Sequence, residues 1–330
     1  MVASIDLGLK SHHNSKGDAL VSFAPILVFI YNRPLHLEKT LSSLIACDSF
    51  ENHQVIVMGD GPKDPADMGQ VLQAREVAKR ILGVNAVYEF ATANKGLATS
   101  IISGVTKIIK MYGKVIVIED DLLLHKQFLR YMNDALNFYE NNERVFSVSG
   151  YAYKEIDKQS DDSPLFLPCI STWGWGTWEN TWEHFDPSSK GIEQLASNSD
   201  TRARFNVNNV YPFADMLEAE KAGEVESWGV RWYWTLFCLD KVCCFPRNSL
   251  VINGGYDETG TNGRGWANNF RKKKHFSDSI SLTIFSQTNV TVDDSYYESV
   301  SKALFKLNGS YLGHLKDKLR NIARRLARLL

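Results

Sequence analysis

Short apolar segments alternate with longer amphipathic segments in the first part of the chain. Ile26–Ile30 is continuously apolar, which predicts a strand buried on both faces. Apolar residues then recur at helical spacing and predict a helix over 35–45. The alternation continues, with predicted strands at 55–58, 87–90 and 115–118 and predicted helices at about 70–82 and 97–112. This order predicts an α/β fold with a mostly parallel central sheet, helices on both faces and ligands at the carboxyl ends of the strands.

Beyond Gly150 the pattern becomes irregular and rich in tryptophan. Helical spacing remains near 210–222 and 227–239. Large aromatic side chains in such a region either form a core or stack on sugar rings, and the pattern leaves both roles open.

Composition narrows the possible functions. The 330 residues are 44% hydrophobic and 23% charged, as in an ordinary globular protein, and the net charge of -1 excludes a protein that coats nucleic acid. The five cysteines show neither a CxxC pair nor zinc spacing, so reduced thiols are expected. Residues 1–24 lack the apolar run of a secretory signal and are expected to be a flexible leader, which together with the thiols predicts a cytoplasmic protein.

Three adjacent carboxylates, Glu119, Asp120 and Asp121, follow the apolar strand predicted at 115–118. Like charges in one place repel, and each resists removal from water, so a divalent cation would stabilise the group. Oxygen ligands favour Mg²⁺ or Mn²⁺, which bind one or two carboxylates and the phosphate oxygens of a nucleotide. The alternative is a solvated acidic turn.

Other predicted strand ends carry groups that suit a nucleotide. Tyr31 and Arg33 follow the first strand, and Asp60 follows the second. Arginine binds phosphate or ribose oxygens, and an aspartate accepts hydrogen bonds from a base or ribose. Lys95 and Gly96 could approach the same ligand. Each signal is weak alone, because Asp-Gly-Pro also forms turns and Asn-Lys-Gly also precedes helices.

The ordered segments ILVFIYNRP, IVMGDGP, NKGLATSI and KVIVIEDDL together resemble the donor half of GT-A glycosyltransferases. The order is similar to that of bacterial family-2-like transferases of polysaccharide and lipopolysaccharide synthesis, and of the animal N-acetylglucosaminyltransferases that initiate complex N-glycans. The likeness continues through STWGWGTWENTW, ESWGVRWYW and FPRNSLVINGGYDETGTN. It implies a GT-A, Rossmann-like domain with a nucleotide-sugar half over 25–150 and an acceptor and catalytic half over 151–300.

The resemblance also implies roles for single residues. Arg33 and Asp60 would contact the nucleotide, Glu119 and Asp120 would lie near the donor sugar and ribose, and Asp121 would hold the metal ion.

The catalytic base would be Glu226, because the family carries an acidic residue just before the tryptophan of this segment. This chain departs from the family, which more often has Asp at that position or a second acidic residue after it, so Glu224 and Asp257 stay open as alternatives.

The predicted sugar platform comprises Trp173, Trp175, Trp178 and Trp228, with a packed core turn as the alternative. A glycine-containing loop over 253–262 is predicted to close over the donor.

The C-terminal segment 301–330 ends in a basic amphipathic helix over 315–330, with leucines on one face and lysines and arginines around the other. Such a helix binds the anionic inner face of a cell membrane, where a lipid-linked acceptor would be found. Docking on its own domain or on a second subunit would use the same amphipathic pattern.

The sequence thus predicts an inverting, metal-dependent glycosyltransferase. It would move a hexosyl or N-acetylhexosaminyl group from a nucleoside diphosphate donor, with UDP expected, to a hydroxyl of a cell-surface glycan or lipid-linked oligosaccharide. A sugar nucleotidyltransferase and a non-catalytic, Ca²⁺-dependent carbohydrate-binding protein are the alternatives.

Overall fold

The computed structural model describes residues 22–155, 162–255, 275–276, 280, 283–286 and 288–306. Most of the predicted leader therefore lies outside the described residues. So do the alternative base Asp257, most of the predicted closing loop and the whole basic helix at 315–330.

The first part of the chain follows the predicted alternation. Its strands are β1 (Ile26–Ile30), β2 (Val55–Gly59), β3 (Ala86–Phe90) and β4 (Lys114–Glu119). Its helices are α1 (Pro34–Ile45), α2 (Met68–Leu82) and α3 (Leu97–Tyr112). Short 3-10 turns cover Phe50–Asn52, Pro65–Asp67 and Gly83–Asn85. The predicted strands and helices are confirmed to within two residues at each end.

The second part contributes further strands to the same molecule. These strands are β5 (Leu122–Leu124), β6 (Val145–Ser149), β7 (Leu165–Leu167), β8 (Trp175–Trp178), β9 (Val242–Phe245) and β10 (Val251–Asn253). The helices are α4 (Phe128–Phe138), α5 (Glu179–Trp182), α6 (Gln194–Ser197), α7 (Ser199–Phe205), α8 (Phe213–Lys221) and α9 (Trp228–Cys238), and residues 294–306 are also helical.

Eight strands form one sheet in the order β3-β2-β1-β4-β8-β6-β9-β7. The first four are mutually parallel, β8 runs antiparallel to both β4 and β6, and β9 is parallel to β6. β7 is antiparallel to β9, and β10 pairs with β5 in a small second sheet. The predicted α/β class with a mostly parallel central sheet is confirmed. The tryptophan-rich region completes the sheet of the first half.

Both faces of the sheet are covered by helices. One apolar cluster joins β1 and β4 to α3, α8 and α9, and the other joins the opposite face to α1, α2 and α4. β1 and residues 115–118 of β4 are buried on both faces, which explains their uninterrupted apolar sequence. The carboxyl ends of β1 to β4 remain uncovered at one edge, where the cavity described below opens.

Gly104 lets α3 lie close to the sheet. A Cβ atom at this position would lie 2.7 Å from both Met58 Sδ and Phe29 Cζ. We expect Gly104→Ala to lower the free energy of unfolding by about 1–3 kcal/mol, because the helix has to move away from β1 and β2. Urea denaturation measures the change.

Gly69→Ala is the matched control, since Gly69 also lies in a helix and nothing would be within 4 Å of its Cβ. This variant should gain about 0.5–1 kcal/mol through higher helix propensity. Equal effects of the two substitutions would contradict the close packing of α3.

Candidate nucleotide-sugar site

A cavity of about 580 Å³ lies at the carboxyl ends of β1 to β4. Its volume is in the range of small-molecule sites, and strand ends of parallel sheets are where such ligands bind. The predicted site residues that line it are Tyr31, Arg33, Asp60, Lys95, Gly96, Glu119, Asp120, Asp121, Trp173 and Glu226. The fold therefore brings together residues that are up to 195 positions apart, the separation of Tyr31 and Glu226.

The acidic triplet occupies the end of β4 and the turn into β5. Burial, together with the charges of Asp121 and Asp120, raises the pKa of Glu119 to about 8. Burial and the charge of Asp121 raise the pKa of Asp120 to about 7. The three carboxylates thus disfavour each other's ionisation, as expected for like charges removed from water.

The turn that carries Asp120 is fixed by the neighbouring chain. The backbone N–H of Tyr31 donates to Asp120 Oδ2 at 3.1 Å, and the Thr40 hydroxyl donates to the Asp120 carbonyl at 2.9 Å. Thr40 is completely buried in α1. The end of β1 and the first helix therefore set the position of the triplet.

Asp121 contacts Arg33 and the segment after β10. Arg33 Nη1 lies 2.8 Å from Asp121 Oδ2, and the backbone N–H of Gly254 donates to the Asp121 carbonyl at 2.7 Å. Gly255 packs directly on the carboxylate, because a Cβ there would lie 1.9 Å from Asp121 Oδ2. Only glycine fits, so the start of the predicted closing loop touches the predicted metal ligand.

The donor set fits a hard divalent cation. Asp121 Oδ1 accepts no hydrogen bond from another described residue, and the raised pKa values of Glu119 and Asp120 reflect negative charge that a cation would offset. Within the described ranges, no group of three or more His, Cys, Asp and Glu side chains is arranged to hold a metal by itself. A site of one or two carboxylates completed by phosphate oxygens and water does not require such a group.

Asp60 holds the segment that precedes α3. Its carboxylate accepts from the backbone N–H groups of Gly61, Lys95 and Gly96 at 2.8 to 3.1 Å, and from Asn94 Nδ2 at 3.1 Å. These four donors use the acceptor capacity of the group. Asp60 therefore lines the cavity, but its hydrogen bonds go to the protein.

Gly96 is the N-cap of α3, with a φ of 81°, a backbone conformation that favours glycine. A Cβ at this position would also lie 3.0 Å from Glu226 Oε1. The glycine of the Asn-Lys-Gly segment thus begins a helix and admits a carboxylate from the second half of the chain.

Glu226 reaches the cavity from the loop before α9. Its Oε1 accepts from the backbone N–H of Ala98, in the first turn of α3, at 2.8 Å. A carboxylate is favoured there by the free N–H groups and positive end of a helix. Glu226 and Glu224 are both exposed, but only Glu226 lines the cavity.

Of the four tryptophans predicted to form a sugar platform, one lines the cavity. Trp175, Trp178 and Trp228 are only 1%, 2% and 4% exposed and do not line the cavity. They pack in the core because β8 is an interior strand of the sheet and α9 lies against its face. Trp173 is partly exposed and lines the cavity, so it is the one of the four that could stack on a sugar.

Two further residues, neither of them at a predicted strand end, contact the segment after β1. Asp67 accepts from the Tyr31 hydroxyl at 2.8 Å and from Asn32 Nδ2 at 3.3 Å, and so positions the segment after β1. Lys63 is exposed and lines the cavity, and its backbone N–H donates to the Tyr31 hydroxyl at 3.0 Å. Asp64 and Asp67 also form reciprocal capping hydrogen bonds. Their spacing of three residues is the sequence signal that could have identified Asp67.

No protein-family description matches the sequence, and no curated protein matches it. Solved structures with similarity include S. aureus TarS 1–349, with 15% identity and a TM-score of 0.38 over 68% of this chain and 58% of that chain. The Pyrobaculum calidifontis mannosyltransferase PcManGT, in complex with GDP-Man and Mn²⁺, has 13% identity and a TM-score of 0.36 over 66% of this chain and 73% of that chain. Mouse xyloside xylosyltransferase 1 has 12% identity and a TM-score of 0.34 over 66% of this chain and 82% of that chain.

The chain thus spans less than two thirds of TarS 1–349. With TM-scores below 0.5, these similarities assign neither a family nor a function to this chain. Among the helices of the described residues, none is long and apolar enough to cross a membrane.

Proposed function

We propose that the protein is a glycosyltransferase that takes a sugar from a nucleoside diphosphate donor bound in this cavity. The observation that carries the proposal is that one cavity is lined both by the ends of four adjacent strands and by Glu226, which the start of α3 holds. A nucleotide site, an acidic end suited to a cation and a separate carboxylate are the groups that sugar transfer requires.

The four strand ends together span a distance that suits a nucleotide sugar. Along the edge of the sheet, β3, β2, β1 and β4 follow one another. With neighbouring strands about 4.8 Å apart, the cavity spans about 14 Å from the end of β3 to the end of β4. A diphosphate near Asp121 would then leave the base near Asp60 and Asn94, with Arg33 between them to bind phosphate or ribose oxygens.

Asp121 would hold Mn²⁺ or Mg²⁺ together with oxygens of the diphosphate. The cation would neutralise the charge that develops on the departing nucleoside diphosphate. Arg33 would add positive charge on the same side and orient the Asp121 carboxylate through their 2.8 Å contact.

Glu226 would act as the base in a single displacement with inversion. The acceptor hydroxyl gives its proton to Glu226, and its oxygen forms a bond to the anomeric carbon. The bond from that carbon to the diphosphate oxygen breaks, and the electron pair leaves with the nucleoside diphosphate. Glu226 Oε2 has no hydrogen-bond partner among the described residues and can accept the proton.

The expected acceptor is a hydroxyl of a cell-surface glycan or lipid-linked oligosaccharide. Trp173, which lines the same cavity as Asn253 and Gly255, would stack on a sugar ring. The basic segment 315–330, read from the sequence, would hold the enzyme at an anionic membrane that carries such an acceptor.

Thermal unfolding with a panel of UDP- and GDP-sugars tests donor binding. At least one donor should raise the unfolding temperature with Mn²⁺ present, and EDTA should remove most of the effect, because a ligand that binds the folded state stabilises it. No shift with any donor would contradict the proposed function.

A further inference from the structure

The side-chain amide of Asn94 has one possible orientation. Its Nδ2 lies 3.1 Å from Asp60 Oδ2 and 2.9 Å from the carbonyl oxygen of Gly61. Both partners are acceptors, so only the NH₂ group can face them. Asn94 Oδ1 consequently faces away from both, and it accepts no hydrogen bond from a described residue.

The segment that carries Asn94 is held by Asp60 and by Gly61. The Asp60 carboxylate binds the backbone N–H groups of Lys95 and Gly96. Gly61 lies so close that a Cβ there would be 2.4 Å from the carbonyl carbon of Ala93. Asn94 is partly buried and lines the cavity, so its Oδ1 is a fixed acceptor.

Asp60 has no free lone pair with which to accept a hydrogen bond from a ligand. Oδ1 accepts from the Gly61 and Lys95 N–H groups, and Oδ2 accepts from Asn94 Nδ2 and the Lys95 and Gly96 N–H groups. A carboxylate has about four lone-pair sites, and these are used. A nucleobase could reach Asp60 only by displacing a bond that holds the segment.

We propose that Asn94 Oδ1, and not Asp60, accepts the ring N–H of the nucleobase, and that Asp60 is a positioning residue for Asn94. This inference rests on the proposed function, since it requires a nucleotide in the cavity with its base toward β2 and β3. It extends that function to the class of base: one with a ring N–H between or beside oxo groups, as in uracil and guanine.

The charges near Asn94 favour the same bases. Lys63 and Lys95 are exposed and line the cavity, and among the described residues neither ammonium group is paired with a carboxylate. Cations attract the oxo groups beside the ring N–H, of which uracil has two and guanine one. They repel the amino groups that adenine and cytosine present instead.

Isothermal titration with UDP and N3-methyl-UDP, in the presence of Mn²⁺, tests the contact. Methylation removes the ring N–H, and we expect it to weaken binding to the unchanged protein about 10-fold. In Asn94→Ala, UDP itself should bind about 10-fold more weakly, and methylation should have no further effect. If GDP binds more tightly than UDP, GDP and N1-methyl-GDP replace the pair.

Lys95→Ala is the control on the same segment, because only its backbone N–H binds Asp60; it should keep the full methylation effect. A purely structural role of Asn94 would weaken UDP and N3-methyl-UDP equally and so leave the 10-fold ratio in Asn94→Ala, which would overturn the inference. A ratio kept in Asn94→Ala but lost in Asp60→Ala would assign the contact to Asp60. Tighter binding of ADP or CDP would also overturn it. Binding of no nucleotide would instead overturn the proposed function, and this inference with it.

Discussion

Glu226→Gln is expected to lower the rate of sugar transfer by about 1,000-fold and to leave donor affinity within about threefold. Glutamine has the same shape, and its Oε1 can still accept from the Ala98 N–H at 2.8 Å, so the contact with α3 is retained. It cannot take a proton from the acceptor, and removal of a general base typically costs 100- to 10,000-fold. Donor turnover with water as acceptor gives the rate, and titration calorimetry gives the affinity.

Glu224→Gln is the matched control for this result. It makes the same change two positions earlier, on an exposed side chain that does not line the cavity, and should retain activity. Equal turnover in Glu226→Gln and the unchanged protein would remove Glu226 as the base. Loss in Glu224→Gln instead would assign the base to that residue.

Asp121→Asn is expected to weaken Mn²⁺-dependent donor binding by about 100-fold or more. The amide lacks the charge that attracts the cation and that pairs with Arg33 at 2.8 Å. Loss of an outer partner of a metal ligand already costs about 10- to 100-fold, so loss of the ligand should cost at least the upper value. Titration with the donor identified by the panel, with and without Mn²⁺, measures the effect.

Asp120→Asn controls for the charge change. Its Oδ1 can still accept from the Tyr31 N–H, so the turn should keep its shape. We expect this variant to retain the response to Mn²⁺. A response that survives in Asp121→Asn and disappears in Asp120→Asn would reverse the roles of the two aspartates.

The fold follows closely from the sequence where local pattern and tertiary environment agree. Ile26–Ile30 is apolar at every position because β1 is an interior strand with helices on both faces, so the pattern alone identified its limits. The strand ends at Tyr31, Asp60 and Glu119 then followed from topology. Parallel strands place their carboxyl ends at one edge.

The roles of individual side chains depend on partners far along the chain, which no local pattern specifies. Asp60 binds residues 34 to 36 positions later, and Glu226 binds Ala98, 128 positions away. The sequence identifies both as carboxylates near a ligand, but the number of protein donors each one accepts depends on tertiary contacts.

The tryptophans illustrate the same limit for apolar groups. Trp173 and Trp175 are two residues apart and chemically identical, yet one lines the cavity and the other is buried. The difference arises because β8 begins at Trp175 and carries that side chain into the core. In an irregular segment, the alternation that would separate the two faces is not visible.

The most direct test of the central claim is product analysis with a panel of UDP- and GDP-sugars and Mn²⁺. A glycosyltransferase should release nucleoside diphosphate and free sugar slowly from at least one donor, and EDTA should stop the reaction. Because the bond broken lies between the anomeric carbon and the diphosphate, added pyrophosphate should not be consumed. Absence of nucleoside diphosphate with every donor, or formation of nucleoside triphosphate and sugar 1-phosphate on addition of pyrophosphate, would contradict the account.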